Sequence, residues 1–365
     1  MRKNDYKPLG DYIELIDNRN TNLSISNLVG LTVDKKFIKS VANTIGTDLS
    51  KYKVIRKRQF ACSLMQVSRD GKMPVAMFNK ESAIMSPAYP MFEVKNVNEL
   101  LPEYLMIYFS RPEFDREAAF YAVGGVRGSL QWEDFCNIPI PIPPISEQRK
   151  IVEQYQTIER RIKNNEALIQ KLEATAQALY HHTFVEGIDK ENLPKGWRIE
   201  YLKDIATFKV GGDKPDLFSE IKTQDYRFPI YSNGIDNEGL FGYTNKSSVN
   251  EDSITISARG NVGVCFLRRQ PYFGIVRLIS VIPKEKEFLF YLFFALITQK
   301  LQGDGSAQAQ ITVPQLENLE MMIPNSKVTS SFYNKSNILY NHIDILKKEN
   351  THLQSMLTLL TSKLS

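Results

Sequence analysis

Four short patterns occur twice in this chain in the same order, and that repetition limits its possible folds more than any other feature. Leu9-Gly10-Asp11 returns as Leu202-Lys203-Asp204, 193 residues later. Residues 68–75 (SRDGKMPV) return as 257–264 (SARGNVGV), 189 later. Tyr104-Leu105 returns as Tyr291-Leu292, 187 later. Phe135, Asn137, Ile138, Ile140, Ile142 and Pro143 return as Leu316, Asn318, Leu319, Met321, Ile323 and Pro324, 181 later. The offsets fall steadily, which chance matches would not do. The chain therefore reads as two copies of one unit, the first longer by a few loop residues.

Each copy runs into a long amphipathic stretch. After Pro143-Pro144 and from Ser146, apolar residues fall at alternating spacings of three and four: Ile151, Tyr155, Ile158, Ile162, Ile169, Leu172, Ala176 and Leu179. Leu339, Ile343, Leu346, Leu353, Leu357, Leu360 and Leu364 repeat the pattern near the end of the chain. This is the heptad signature of helices that pack along one seam. The 181-residue offset maps Ile162 onto Ile343, Leu172 onto Leu353 and Leu179 onto Leu360, so both share one register. A helix of ~38 residues would be ~57 Å long. The nearest partner for each seam is the other, and antiparallel pairing would carry the two globular halves to opposite ends. Asn165 and Asn350 take the polar seam positions, either fixing register or lying at a solvated edge. His181 and His182 suit the end of the first helix as cations rather than metal ligands.

The globular halves read as mixed α and β. Segments 228–231, 253–257 and 275–281 are rich in β-formers, whereas 102–111 and 288–301 read as helices. The Gly-, Asn- and Asp-rich run 232–239 marks a loop. The fold class is α+β: two mixed αβ domains separated by two long antiparallel coiled-coil helices, as a pseudo-two-fold repeat. The boundaries are 1–145, 146–184, 185–325 (linker and second globular domain) and 326–365.

Catalytic motifs are missing from the pattern. Gly124-Gly125 and Gly211-Gly212 lack the spacing of a dinucleotide loop, and no GxxxxGK[ST] or GxSxG occurs. Pro215-Asp216 with Glu220 and Lys222 is too compressed for a nuclease site on neighbouring strands. The four histidines (181, 182, 342, 352) and three cysteines (62, 136, 265) have no ligand spacing and no disulfide framework. A net charge of +5 permits a nucleic acid partner without demanding one. No apolar leader follows Met1, and the longest apolar run, 288–297, is about half a membrane span. A cytoplasmic, non-enzymatic binding protein is expected.

Side chains suited to DNA cluster in loops. Phosphate contacts call for Lys and Arg; base edges call for Arg, Lys, Asn, Gln and Ser. The first half offers Lys51, Lys53, Arg56, Lys57 and Arg58, then Ser68, Arg69 and Lys72, then Arg127, Ser129 and Gln131. The second offers Lys209, Lys214, Tyr231, Ser232, Asn233, Lys246, Arg259, Asn261, Gln308 and Gln310. Trp132 and Trp197 read as packing anchors. No catalytic, cofactor or metal residue is assigned.

Residues 128–151 (GSLQWEDFCNIPIPIPPISEQRKI) resemble the junction between recognition domain and spacer helix in type I restriction–modification specificity subunits. Residues 192–197 (NLPKGW) resemble that family's entry into the second recognition domain. Tyr231-Ser232-Asn233-Gly234 with residues 252–260 is similar to a second-domain pattern, and Ser86-Pro87-Ala88-Tyr89 to a first-domain one. The second junction departs from the first: it reads Ile323-Pro324-Asn325-Ser326-Lys327, without the Pro-Pro and Glu-Gln. The resemblance implies double-stranded DNA as a ligand, each domain reading one half of a bipartite, asymmetric site. It implies helices that space the halves and dock two methyltransferase subunits, with restriction subunits joining the full complex. S-adenosylmethionine, ATP and Mg would belong to those partners. The competing readings are a coiled-coil adaptor that binds only protein, and a free-standing nuclease or methyltransferase. Exchanging the region before Ile145 for that of another family member should change one half of the methylated sequence and leave the other. A change in both halves, read by methylome sequencing, would refute the modular reading.

Overall fold

The computed structural model describes residues 6–43, 45–65, 67–122, 129–299, 301 and 310–364, with only the backbone at residue 69. By internal contacts the chain falls into two compact units, Met1–Asn165 with Lys348–Ser365, and Glu166–Lys347.

In the first unit, strands β1 (Ile13–Ile16), β2 (Phe60–Cys62), β3 (Val75–Met77) and β4 (Met91–Val94) form an antiparallel sheet in the order β1-β4-β2-β3. Helix α1 (Pro102–Phe109) packs against it, and a short strand Tyr6–Pro8 pairs antiparallel with Pro139–Pro141. The core is aromatic: Phe60 stacks on Phe92 at 5.0 Å, and Trp132 packs on Phe92 at 5.7 Å. Burying each phenylalanine stabilises the unit by about 1.5–3 kcal/mol.

In the second unit, β5 (Ala206–Val210), β6 (Ser253–Ile256), β7 (Cys265–Arg268) and β8 (Ile279–Pro283) form an antiparallel sheet in the order β5-β8-β6-β7. Helix α3 (Leu289–Thr298) packs on it, and Arg198–Tyr201 pairs with Glu320–Ile323. Trp197 packs on Phe184 at 5.9 Å.

The repeat is thus one frame built twice, and its hydrogen bonds repeat with it. Tyr104 donates from its hydroxyl to the carbonyl of Pro141; Tyr291 donates likewise to Met322. The Lys95 ammonium caps the carbonyls of Gly10 and Asp11; Lys284 caps those of Lys203 and Asp204. The amide of Leu9 donates to Ile138, and that of Leu202 to Leu319. Each pair is separated by the offsets of the sequence anchors.

Outside the frame the copies differ. The first adds two two-stranded sheets, Val29–Leu31 with Phe37–Lys39 and Lys53–Arg56 with Ser82–Met85. The second adds one sheet of four strands, Phe218–Ser219, Leu240–Thr244, Phe228–Tyr231 and Phe273–Gly274, the last two parallel. One expected strand is shorter than its sequence suggests. Residues 275–278 make a turn, and the strand begins only at Ile279.

The two long helices are α2 (Ile145–Phe184) and α4 (Ser326–Ser362). In the first unit, Leu364 joins the core that Ile151 and Tyr155 pack against, and Asn165 Nδ2 donates to Asn350 Oδ1 at 2.8 Å. In the second, Phe332 meets Phe184 at 4.9 Å. Facing residues rise along one helix as they fall along the other, so the helices pair antiparallel within each unit. Of the seam residues, Ile343, Leu346 and Leu357 are buried, while Ile151, Ile158, Ile162, Ile169, Leu172, Leu179, Leu339, Leu353 and Leu360 are half-buried. Apolar residues off the seam, such as Leu168, Ile338, Ile345 and Leu359, are exposed.

The first junction explains its own motif. Gln148 is fully buried; its Oε1 accepts the Leu101 amide at the start of α1, and its Nε2 donates to the carbonyls of Glu99 and Pro143. The repeat-equivalent residue, Thr329, donates only to Asn325, one turn back on its own helix.

Asn165 is buried and also donates to Glu349, whose carboxyl is held below its usual range chiefly by the Arg161 hydrogen bond. Asn165→Ala removes that donor and should destabilise the first unit by about 1–3 kcal/mol, seen as a lower urea midpoint. Changing Asn165 and Asn350 together to Leu should restore the midpoint; an unchanged midpoint for Asn165→Ala would count against the asparagine pair.

Candidate nucleic-acid interface

In the first unit the expected contacts lie on the outer sheets and at the end of the turn into β2. Lys51 closes a 3₁₀ turn and sits 3.7 Å from Asp48. Lys53 is half-buried, donating to the Tyr89 carbonyl at 3.1 Å beside Asp17 at 3.6 Å. Asp17 is held below the usual carboxylate range, first by its hydrogen bond from Arg19. The expected cationic triad divides. Arg56 and Lys57 are exposed, with no side-chain bond or ion pair among the described residues. Arg58 takes φ 70° and turns back to Glu103 at 2.9 Å, in the first turn of α1. Lys72 meets Asp34 at 3.3 Å. Ser68 lies exposed in the short helix Val67–Asp70, which also carries the backbone of Arg69. Ser129 is half-buried, Gln131 is exposed at the start of the helix Trp132–Asn137, and Arg127 lies outside the described residues. A cavity of about 310 Å³ opens nearby, with Ser40, Tyr52, Ser63, Ser86 and Tyr89 among its lining residues, which places the Ser86-Pro87-Ala88-Tyr89 motif at its wall.

In the second unit three loops come together at one edge: 231–239, 257–264 and 275–278. Asn233 stitches them. Its Oδ1 accepts the Ala258 amide at 2.8 Å and its Nδ2 donates to the Val276 carbonyl at 2.7 Å. Both polar atoms of this expected DNA contact thus also serve the loops. Tyr231 lies inward: its ring is buried between the Arg268 guanidinium, 3.6 Å from the ring centre, and Tyr272. Arg268 itself is buried and bound to Thr255 and Glu238, and burial lowers its pKa. Glu238 also receives Lys347 of α4 at 2.8 Å, which ties the left-handed run Asn237-Glu238-Gly239 to that helix.

The remaining candidates face outward. Arg259 donates to Gln310 at 3.0 Å, so two expected contacts meet directly. Asn261 is exposed in the same loop, and Ser232 is half-buried. Lys209 meets Glu251 at 3.7 Å; Lys214 and Lys246 lie over Phe218 and Phe273. Gln308 lies outside the described residues.

One turn escaped the sequence reading. Val276 and Arg277 both adopt left-handed backbone, φ 54° and 60°, and both are exposed. For non-glycine residues such conformations cost of order 1–3 kcal/mol each and persist only where surrounding bonds enforce them. The run Ile275-Val276-Arg277-Leu278 has strong β propensity, which masked the turn.

Burial pushes the Cys265 thiol up to about 12 and raises Cys62 and Cys136, so none favours a thiolate at neutral pH. Among the described residues, no group of three or more His, Cys, Asp or Glu could hold a metal ion. No helix is long and apolar enough to cross a membrane among them.

The comparisons with known proteins agree with this geometry. The family described as "Type I restriction modification DNA specificity domain" matches residues 66–174 and 194–355. A type I specificity subunit of Mycoplasma pneumoniae is 26% identical over 348 residues, covering 90% of this chain and 93% of that protein. The MjaIX type I restriction enzyme specificity subunit of Methanocaldococcus jannaschii is 22% identical over 277 residues, 67% of this chain and 63% of that one. The crystal structure of a type I restriction–modification S subunit from M. genitalium shares the fold, with a TM-score of 0.62 at 17% identity over 100% of this chain and 97% of that one. With the family match spanning both halves of a duplicated frame, the chain belongs to the type I restriction–modification DNA specificity family.

Proposed function

We propose that this chain is the DNA-specificity subunit of a type I restriction–modification complex, with each globular half reading one half of a bipartite, asymmetric site. One observation carries the reading: the same hydrogen-bonded frame occurs twice, and each copy bears different outer sheets and loops. A repeated frame offers two equivalent mounts, and dissimilar loops on them suit two different half-sites.

The helices serve as spacer and dock. Off the seam, Ile338 and Ile345 stand exposed one heptad apart in the second unit, and Met356 and Leu359, three residues apart, are exposed in the first. Exposed apolar rows of this kind support docking of protein partners. Two methyltransferase subunits would take these positions, restriction subunits would join them, and S-adenosylmethionine, ATP and Mg would act on those partners in the cytoplasm. This chain does no chemistry of its own.

Deleting the gene from its host should abolish adenine methylation at one bipartite motif and leave other motifs intact, as read by methylome sequencing. An unchanged methylome, or methylation or cleavage of DNA by the purified chain alone, would overturn the reading. Within the basic triad, Arg58 is paired with Glu103, whereas Arg56 and Lys57 make no side-chain bond among the described residues. Replacing Arg56 and Lys57 with Ala should weaken DNA binding and lower the slope of log K against log salt by ~1 for each phosphate they neutralise. Arg58→Ala should leave that slope nearly unchanged, because its charge is already paired with Glu103.

A further inference from the structure

We propose that Arg277 is a base-reading side chain of the second half, and that its target is a guanine. The inference rests on the specificity-subunit reading and names a residue within it.

The backbone at this turn is fixed from every side. The Val276 amide donates to Gly212 at 2.8 Å and the Arg277 amide to Gly211 at 2.9 Å. The Leu278 amide closes the turn onto Ile275 at 3.1 Å, and the Ile275 amide donates to Tyr231 at 3.0 Å. Asn233 adds its bond to the Val276 carbonyl. Gly211 permits the approach, since a Cβ there would lie 2.7 Å from Gly274 C and Ile275 N. With φ positive at both central residues, the turn has the signs of type I′, whose usual occupants are Asn and Gly. Here they are Val and Arg, and valine is among the residues least suited to that backbone.

Neither folding nor internal pairing accounts for an arginine there. Arg277 is exposed and makes no side-chain hydrogen bond or ion pair among the described residues. Two nearby arginines contrast with it: Arg268 bonds to Thr255 and Glu238, and the terminal nitrogens of Arg269 bond to Asp344, Asn337 and Asn341. Arg58, the other arginine with a positive φ among the described residues, is paired with Glu103. A phosphate contact tolerates a mobile cation on a loose loop. A bidentate contact to guanine O6 and N7 requires the guanidinium to arrive in register. The rigid, strained turn supplies that register, and the same Asn233 holds it against the loop that carries Arg259.

The test uses this chain assembled with its methyltransferase partners. The wild-type methylome defines the motif, and duplexes with each base pair of both half-sites changed are then titrated with wild type, Arg277→Ala, Arg277→Lys and Val276→Asn. For Arg277→Ala, discrimination at one G·C pair of the second half-site should fall roughly ten- to hundredfold. The first half-site and the salt slope should not change. Arg277→Lys should lose most of that discrimination while keeping affinity. Val276→Asn should relax the turn, raise thermal stability and keep discrimination, which separates readout from folding. A uniform loss across all bases with a slope lower by ~1 would make Arg277 a phosphate contact and overturn the proposal. Unchanged discrimination, or a second half-site without a G·C pair, would overturn it as well. A motif that does not depend on this chain at all would overturn the specificity-subunit reading beneath it.

Discussion

A helix with one apolar seam cannot stand alone in water, and both long helices of this chain carry such a seam. Everything else depends on their satisfying each other. Because they pair antiparallel, each compact unit contains a stretch of both, and the last apolar residue described, Leu364, is buried in the core of the first globular half. The pairing is marked at its polar point by Asn165 facing Asn350, a contact whose value lies in what it excludes. Sliding one helix by a turn would bury each amide against hydrocarbon without a partner, at a cost of about 1–3 kcal/mol for each unsatisfied group.

The frame on which the reading loops sit is fixed by few but long-range bonds. A tyrosine hydroxyl ties the helix to the closing strand, and a lysine ammonium caps the opening turn, once in each copy. These bonds end on main-chain carbonyls. They hold the frame whatever side chains the intervening loops display, so the outer sheets can differ as much as they do without disturbing the sheet order beneath.

Much of this was legible in the sequence because it is periodic or duplicated. The offset anchors foretold the shared topology, and the heptads marked out the two long helices. What could not be read was pairing at a distance. Arg58 looks like its neighbours Arg56 and Lys57 until Glu103, 45 residues on, proves to be beside it. Asn233 and Tyr231 have the right chemistry for bases, yet the fold spends one on stitching loops and buries the other beneath Arg268. Arg277 was hidden for the opposite reason. Its surroundings favour a strand, and long-range hydrogen bonds, among them those to the carbonyls of Gly211 and Gly212, hold the chain in a left-handed turn there.

The main-chain character of the frame's bonds has a consequence for how such proteins diversify. If stability resides in bonds blind to loop identity, a lineage can rewrite either recognition surface by small steps without first passing through an unfolded ancestor. The turn at 275–278 marks the limit of that freedom. There the loop is welded to Gly211 by an approach too close for a side chain at that position, so the glycine must stay while the residue displayed at the turn is free to change.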